Sequence, residues 1–310
     1  MMLFESIAFV YFFYHLQFLY NFKSKGHADF SQLLSVSITI ISVVFLIGLY
    51  IDPSTFFRDT HGGAVSRLGG FIINPNELGM LAAIGGAMNY LELSKEKSKF
   101  WNILFLAINI GVLLLTQSRS SLGGFLLVSL LFIYQSGNRK LQFATLIGAI
   151  FVLPVLVNTI IIKEGDVSEV MSMTGRLPFW SDLITFGFPD RPILGYGFMS
   201  ISPSPFTDKF DSIHAYAASM THNTFVQVLI NLGLVGAFIV LFQMIATTYA
   251  FIIHQDLYIK QLSVALFIPI FINSLTEFGI FGEANYSIMF YQFIILFMIL
   301  GIRKNDRMLE

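Results

Sequence analysis

Long apolar blocks constrain the fold of this chain more than any other feature. They run for about 16 to 30 residues each and are separated by short polar patches. An apolar helix of about 20 residues crosses the roughly 30 Å hydrocarbon layer of a bilayer. Since 55% of the 310 residues are hydrophobic and only 12% are charged, the sequence predicts an all-α polytopic membrane protein, with residues 1–310 forming one integral membrane domain.

These blocks predict a transmembrane bundle of about nine helices. The first block is too long and too aromatic for the core of a signal peptide, so we count it as a span. The predicted spans lie near residues 2–22, 33–51, 77–93, 101–117, 120–135, 141–162, 223–253, 260–276 and 286–302.

Basic residues in the connecting loops predict the orientation, because Lys and Arg are retained on the cytoplasmic side. One alternating set of loops carries eleven of them, and the opposite set carries seven over much more chain. We therefore expect a multi-pass protein of the cytoplasmic (inner) membrane, with its N-terminus outside and its C-terminus in the cytoplasm. The one long connection, residues 163–222, is predicted as an extracytoplasmic loop.

The middle of this loop has a pattern typical of a short amphipathic helix. In the stretch 174–197, Thr174 is a candidate cap, and apolar residues that include Trp180 recur at helical spacing. We expect the helix to lie at the membrane interface with Trp180 at headgroup depth.

Charge and cysteine content exclude several classes of function. The formal net charge is −1, so no basic face indicates nucleic acid binding. The chain has no cysteine, which excludes disulfides, thiolate catalysis and cysteine metal ligands.

Four polar clusters are predicted at outer helix ends. "RLGGFIINPNELG" at 67–79 contains Arg67, and "TQSRSSLGGF" at 116–125 contains Arg119. Arg176 lies in the long loop, and "THNTF" at 221–225 contains His222. The predicted topology puts all four at one membrane surface, so we hypothesise that three arginines and a histidine converge there.

The residue types in these clusters suit a reaction at an anionic group. Arg119 and the following Ser120 stand at a helix N-terminus, where a guanidinium, a hydroxyl and free backbone N–H groups favour a phosphate. Arg176 could hold the same anion from above. His222 can accept and return a proton near neutral pH.

Simpler interpretations compete with this one. Arginines at membrane ends are often snorkelling anchors, and a His-Asn-Thr sequence before an apolar run is typical of a helix cap. A metal site is a weaker alternative, and no spacing matches a zinc or magnesium motif, so no metal and no cofactor is predicted. Its candidate ligands are His214 and His222 with Asp208, Asp211, Glu277 or Glu283.

The order of the motifs resembles the O-antigen ligase and polymerase superfamily. "TQSRSSLGGF", "GRLPFW…PILGYG" and "HNTFVQVLINLGLVG" follow one another with a long outer loop before the last, and the resemblance extends over residues 67–236. Members are membrane glycosyltransferases with a helical fold related to the GT-C class. They pass a glycan from an undecaprenyl-diphosphate carrier to an acceptor at the outer face of the cytoplasmic membrane.

The resemblance implies roles for several residues. Arg119 and Arg176 would bind the donor diphosphate, and His222 would activate the acceptor hydroxyl. Arg67 would be a supporting contact and Arg191 a weaker one, with Ser120 and Asn223 as further substrate-binding candidates. The implied enzyme is metal-independent and inverts the anomeric centre.

The implied partners are a carrier-linked glycan donor, a glycan or lipid-linked acceptor, the bilayer, and a chain-length regulator or other assembly protein. We favour a polysaccharide polymerase over a ligase, although no residue separates their acceptors. A transporter or flippase for an anionic or lipid-linked solute is the competing class. Because family members usually have more N-terminal spans, an inactive truncated member is a third reading.

Overall fold

Helices make up nearly all of the chain that the structure describes. The computed structural model describes residues 27–60, 65–93, 99–140, 142–143, 146–147, 173, 176–197, 221–253 and 257–277. The helices are α1 (His27–Ile51), α2 (Pro53–Phe56), α3 (Pro75–Leu93), α4 (Lys99–Thr116), α5 (Arg119–Gln135), α6 (Arg176–Asp182), α7 (Thr224–Ile253) and α8 (Leu257–Ser274). One antiparallel hairpin joins β1 (Phe57–Thr60) to β2 (Val65–Leu68).

Four of the described helices, α1, α4, α7 and α8, are long and apolar enough to cross a membrane, and α5 is a shorter apolar helix. This confirms a mostly helical, multi-pass membrane protein. The predicted spans 2–22 and 286–302 and most of 141–162 lie outside the described residues, so the total of nine spans stays a prediction.

Helix α3 is the centre of the bundle. It is buried on nearly all sides and packs against α1, α4, α5 and α8. Its glycines permit the close approach: a Cβ at Gly85 would lie 2.6 Å from Ile38 Cγ2, and one at Gly86 would lie 2.8 Å from Phe125 Cε2. Small residues at such contacts are typical of helix packing in membranes.

Hydrogen bonds between polar side chains also join the helices inside the bundle. Ser35 Oγ of α1 donates to Asn89 Oδ1 of α3 at 2.5 Å, and Ser42 Oγ donates to Asn109 Oδ1 of α4 at 2.8 Å. All four residues are buried. In hydrocarbon such bonds hold helices in register, because an unpaired polar group there is costly.

Several helix ends meet at one end of the bundle, which we call the site end. The first turns of α3 and α5 are joined there by Ser121 Oγ, which donates to the Asn76 carbonyl at 3.3 Å. The start of α7 is joined to the segment after α8 by Asn223 Nδ2, which donates to the Leu275 carbonyl at 3.0 Å. At the opposite end, Gln261 of α8 bonds Gln135 of α5.

Helix α7 extends over the predicted span 223–253, and Thr224–Ala250 is one of the candidate membrane spans, but its helical geometry is interrupted at Gly233. Gly233 has φ 62° and ψ −160°, which breaks the helical hydrogen bonding. Residues 192–197 fill the break. The carbonyls of Pro192 and Ile193 accept from the N–H groups of Leu234 and Val235, and the N–H groups of Tyr196 and Gly197 donate to the carbonyls of Ile230 and Asn231.

Helix α6 occupies part of the segment that the sequence predicts as amphipathic. Its Phe179, together with Leu183 of the following π-helical turn (Leu183–Gly187), packs against Val226 and Ile230 of α7. Phe179 and Leu183 therefore contact protein, whereas Leu177 and Ile184 are 42% and 45% exposed. A 3₁₀ turn, Phe188–Asp190, completes the segment, and Thr174 lies outside the described residues.

Candidate functional site

A buried carboxylate, Glu277, is the centre of the polar network at the site end. It follows α8, and its side chain is only 10% exposed. Its oxygens accept hydrogen bonds from Arg176 Nη2 at 3.0 Å, His222 Nδ1 at 2.8 Å and Asn76 Nδ2 at 2.7 Å. Three remote parts of the chain therefore meet on one carboxylate.

The backbone of His222 is held in an uncommon conformation. Its φ is 49°, in the left-handed region that non-glycine residues seldom occupy. On one side, Asn223 Oδ1 caps α7 by accepting from the N–H groups of Phe225 and Val226. On the other, Trp180 Nε1 donates to the Thr221 carbonyl at 2.6 Å. These contacts keep the imidazole directed at Glu277.

The surroundings of Glu277 keep it ionised. Burial raises the pKa of this carboxyl, but the hydrogen bond and charge of His222 and the charge and hydrogen bond of Arg176 lower it by more. The pKa of Glu277 therefore lies below its ordinary value. At neutral pH the group is a carboxylate, which can only accept hydrogen bonds.

This carboxylate determines which imidazole nitrogen carries the proton. Because ionised Glu277 has no proton to give, His222 Nδ1 carries the proton in their hydrogen bond. In the neutral imidazole the lone pair is then on Nε2. The side chain of His222 is 17% exposed, so it is not fully enclosed by protein. The pair has the arrangement of a general base oriented by a carboxylate.

Arg176 begins α6 and ties that helix to the segment after α8. Its Nη2 bonds Glu277, and its Nη1 donates to the carbonyl of Thr276. Arg67, in β2, reaches the same network through Asn76: its Nε donates to the Thr116 carbonyl at 2.9 Å, and its Nη2 donates to Asn76 Oδ1. The result is a connected hydrogen-bond chain from Arg67 to His222.

Arg119 is the first residue of α5, and its backbone lies at the site end. The residue before it, Ser118, packs so closely on α3 that a Cβ at Gly79 would lie 2.8 Å from Ser118 Cβ. Ser120 Oγ donates to Asn273 Oδ1 of α8 at 3.1 Å. The start of α5 is thus adjacent to the first turn of α3, which contains Asn76.

The structure brings Arg67, Arg176 and His222 into one network and puts the start of α5 beside it. Arg191 is not in the described contacts of this network; it is exposed, and its guanidinium lies 5.4 Å from the ring centroid of Tyr196. Asn223 is 8% exposed and serves as the cap of α7.

Sequence reasoning missed the two residues that connect the network. Glu277 was considered only as a metal ligand, and Asn76 was given no role. A signal for Glu277 was present, because an ionisable residue directly after an apolar span is a functional candidate by default.

A metal cluster finds no support in the described ranges, where no group of three or more His, Asp or Glu side chains could hold an ion. The other proposed ligands, Asp208, Asp211, His214 and Glu283, lie outside those ranges.

Comparison with models of protein families gives a match. Residues 104–241, somewhat less than half of the chain, match the family model described as O-antigen ligase. The match contains Arg119, Arg176 and His222 and excludes Arg67 and Glu277. It begins later than the predicted boundary at 67 and ends just beyond 236. No curated protein matches the chain.

Proposed function

We propose, from the match of residues 104–241 to the family model described as O-antigen ligase, that the protein transfers a glycan from an undecaprenyl-diphosphate carrier to an acceptor hydroxyl. The reaction takes place at the outer face of the cytoplasmic membrane. The single observation that carries the proposal is the contact between His222 Nδ1 and Glu277, which leaves Nε2 as a base in the same network as Arg176.

The arginines bind the leaving group in this proposal. As the bond between the anomeric carbon and the diphosphate oxygen breaks, the electron pair and negative charge move onto the diphosphate. Guanidinium groups suit such an anion, because each presents a planar fork of donors to phosphoryl oxygens. Arg119 and Arg176 supply this charge, Arg67 supports them, and fixed cations of this kind stabilise charge without a divalent ion.

His222 acts on the other substrate. Its Nε2 takes the proton of the acceptor hydroxyl while the oxygen bonds to the anomeric carbon. Attack from the face opposite the diphosphate inverts that centre. Glu277 stabilises the imidazolium that forms and keeps the ring oriented, so it is a positioning residue.

We propose a polymerase, whose acceptor is a second carrier-linked unit, in preference to a ligase. Supplying the two acceptor classes separately to the purified protein tests this choice. Growth of a ladder of repeat units with carrier-linked acceptor supports a polymerase, and a single addition to a lipid A-core acceptor supports a ligase.

A transporter is the second candidate function, favoured by the break in α7 at Gly233. Transporters place substrate groups at interrupted helices near mid-bilayer. Here residues 192–197 of the same chain satisfy the backbone groups of the break. The buried Asn231 beside it has an amide oxygen without a hydrogen bond from any described residue. An interrupted helix filled by its own chain favours a structural role for the break.

One experiment separates these functions. Purified protein in lipid nanodiscs is given undecaprenyl-diphosphate oligosaccharide with EDTA present, and the products are sized. We expect new glycosidic bonds with wild type and with Gln261→Ala, a control at the opposite end of the bundle, and loss of product with His222→Ala. Uptake of intact donor into proteoliposomes without bond cleavage would contradict the proposal.

A further inference from the structure

Arg58 is a cation of the site end that the reaction above does not use. It lies in β1 directly opposite Arg67 of β2 in the antiparallel register. Side chains of directly opposed residues leave the same face of a hairpin. The half-buried Arg58 therefore shares a face with the arginine that is bonded to Asn76.

This pairing is unfavourable unless an anion lies between the two arginines. Like charges directly opposite each other destabilise a strand pair. Arg67 is held by the Thr116 carbonyl and by Asn76. Arg58, in contrast, has no hydrogen bond or ion pair to any residue in the described part of the chain. Its neighbour Asp59 leaves the opposite face and accepts from Ser66 Oγ.

Glu277, which Asn76 links to Arg67, does not offset this charge. Glu277 is engaged by Arg176 and His222 and is buried. An anion from outside the protein would relieve the repulsion between Arg58 and Arg67, and it would meet two guanidinium groups on residues whose Cα atoms are about 5 Å apart. A phosphoryl group, with several acceptor oxygens, fits this pair of donors.

We propose that Arg58 and Arg67 together bind a phosphoryl group of the lipid-linked donor, so that the β1–β2 hairpin is part of the diphosphate site. The inference rests on the proposed function and adds a residue and an element to it. Two arginines opposed on adjacent strands repel each other, so without ligand they lower the stability of the protein. Together they also raise its affinity for a polyanion. A residue with a purely structural role would not have both effects.

Arg58→Gln tests the assignment. Melting temperatures of wild type and variant in nanodiscs are measured alone and with inorganic pyrophosphate, undecaprenyl diphosphate or undecaprenol. Without ligand we expect the variant to melt at the same temperature as wild type or higher. We expect it to bind both diphosphates about tenfold more weakly or worse, the loss of one charge-assisted contact. Undecaprenol, which lacks the phosphates, should not distinguish the two proteins.

Two further variants make the result specific. Arg58→Lys should bind with intermediate affinity, because it keeps the charge and loses the fork. Arg139→Gln removes an exposed arginine beyond the opposite end of α5 and should bind as wild type does.

Equal diphosphate affinity in wild type and Arg58→Gln would overturn the inference, as would a lower melting temperature of the variant without ligand. If either result were found together with normal glycan transfer, the proposed function would still hold and only the role of Arg58 would be rejected. Wild type that neither binds diphosphate nor transfers glycan would reject both.

Discussion

Glu277 Oε2 lies 2.8 Å from His222 Nδ1, although 55 residues separate the two in sequence. One follows the end of α8 and the other precedes the start of α7. The orientation of the imidazole therefore depends on how these two helices pack. Glu277 also bonds Arg176, which connects it to α6.

Replacing Glu277 with Gln should slow transfer about 10- to 100-fold, a typical cost of losing the carboxylate that orients a functional histidine. The amide of Gln can donate to Nδ1 and so favour the tautomer that carries its proton on Nε2. Initial rates across a pH series measure the change.

The double variant provides the control. His222→Ala with Glu277→Gln should be no slower than His222→Ala alone, because Glu277 acts through the imidazole. Independent, multiplicative losses would mean that Glu277 has a separate role.

Arg176→Ala should reduce both transfer and stability. It leaves the buried Glu277 carboxylate without its ion pair to Arg176, a destabilisation on the order of 3 kcal/mol. The melting temperature in nanodiscs measures this. Arg119→Ala is the matched comparison: it should impair transfer with a smaller effect on melting, and equal losses of stability would contradict the assignment.

Gly233→Ala should destabilise the protein. A Cβ there would lie 2.3 Å from the Ile193 carbonyl oxygen, and the φ of 62° is strained for alanine. We expect a loss of about 1–2 kcal/mol or more, measured as a lower melting temperature. Gly123→Ala, in α5 with no atom within 4 Å of the added Cβ, should be neutral or slightly stabilising. Equal stability of the two variants would argue against the packing of residues 192–197 in the break.

A low pH should reduce the stability of the folded protein through protonation of Glu277. Its pKa in the folded protein is below the ordinary value of 4.5, so its stabilising contribution is fully present above that value. The contribution is lost as the pH falls through the lowered pKa. The melting temperature of wild type should therefore converge on that of Glu277→Gln as the pH falls below about 4.5. A constant difference down to strongly acidic pH would contradict this.

The long apolar helices and the candidate arginines and histidine could be predicted from the sequence, because both predictions rest on short stretches of chain. Apolar length alone predicted α1, α4 and α8, and an arginine or histidine beside a helix start is visible in a short motif. The break at Gly233 was missed, because a glycine in an apolar run also suits ordinary helix packing. The break becomes evident only in the folded structure, where residues 192–197 contact α7.

The remaining features depend on tertiary contacts between residues that are distant in sequence. The pairing of Glu277 with His222 and the bridge through Asn76 depend on how α3, α7 and α8 meet. The register that opposes Arg58 to Arg67 depends on a hairpin that hydropathy does not reveal.

The most direct test of the catalytic proposal is the single-turnover rate of glycan transfer from undecaprenyl-diphosphate oligosaccharide by His222→Ala in nanodiscs, with donor binding measured on the same sample. We expect binding close to that of wild type and a rate about 10²- to 10⁴-fold lower, the usual contribution of a general base. Transfer by His222→Ala at nearly the wild-type rate, with the donor bound, would contradict the role of His222 and of the network around Glu277.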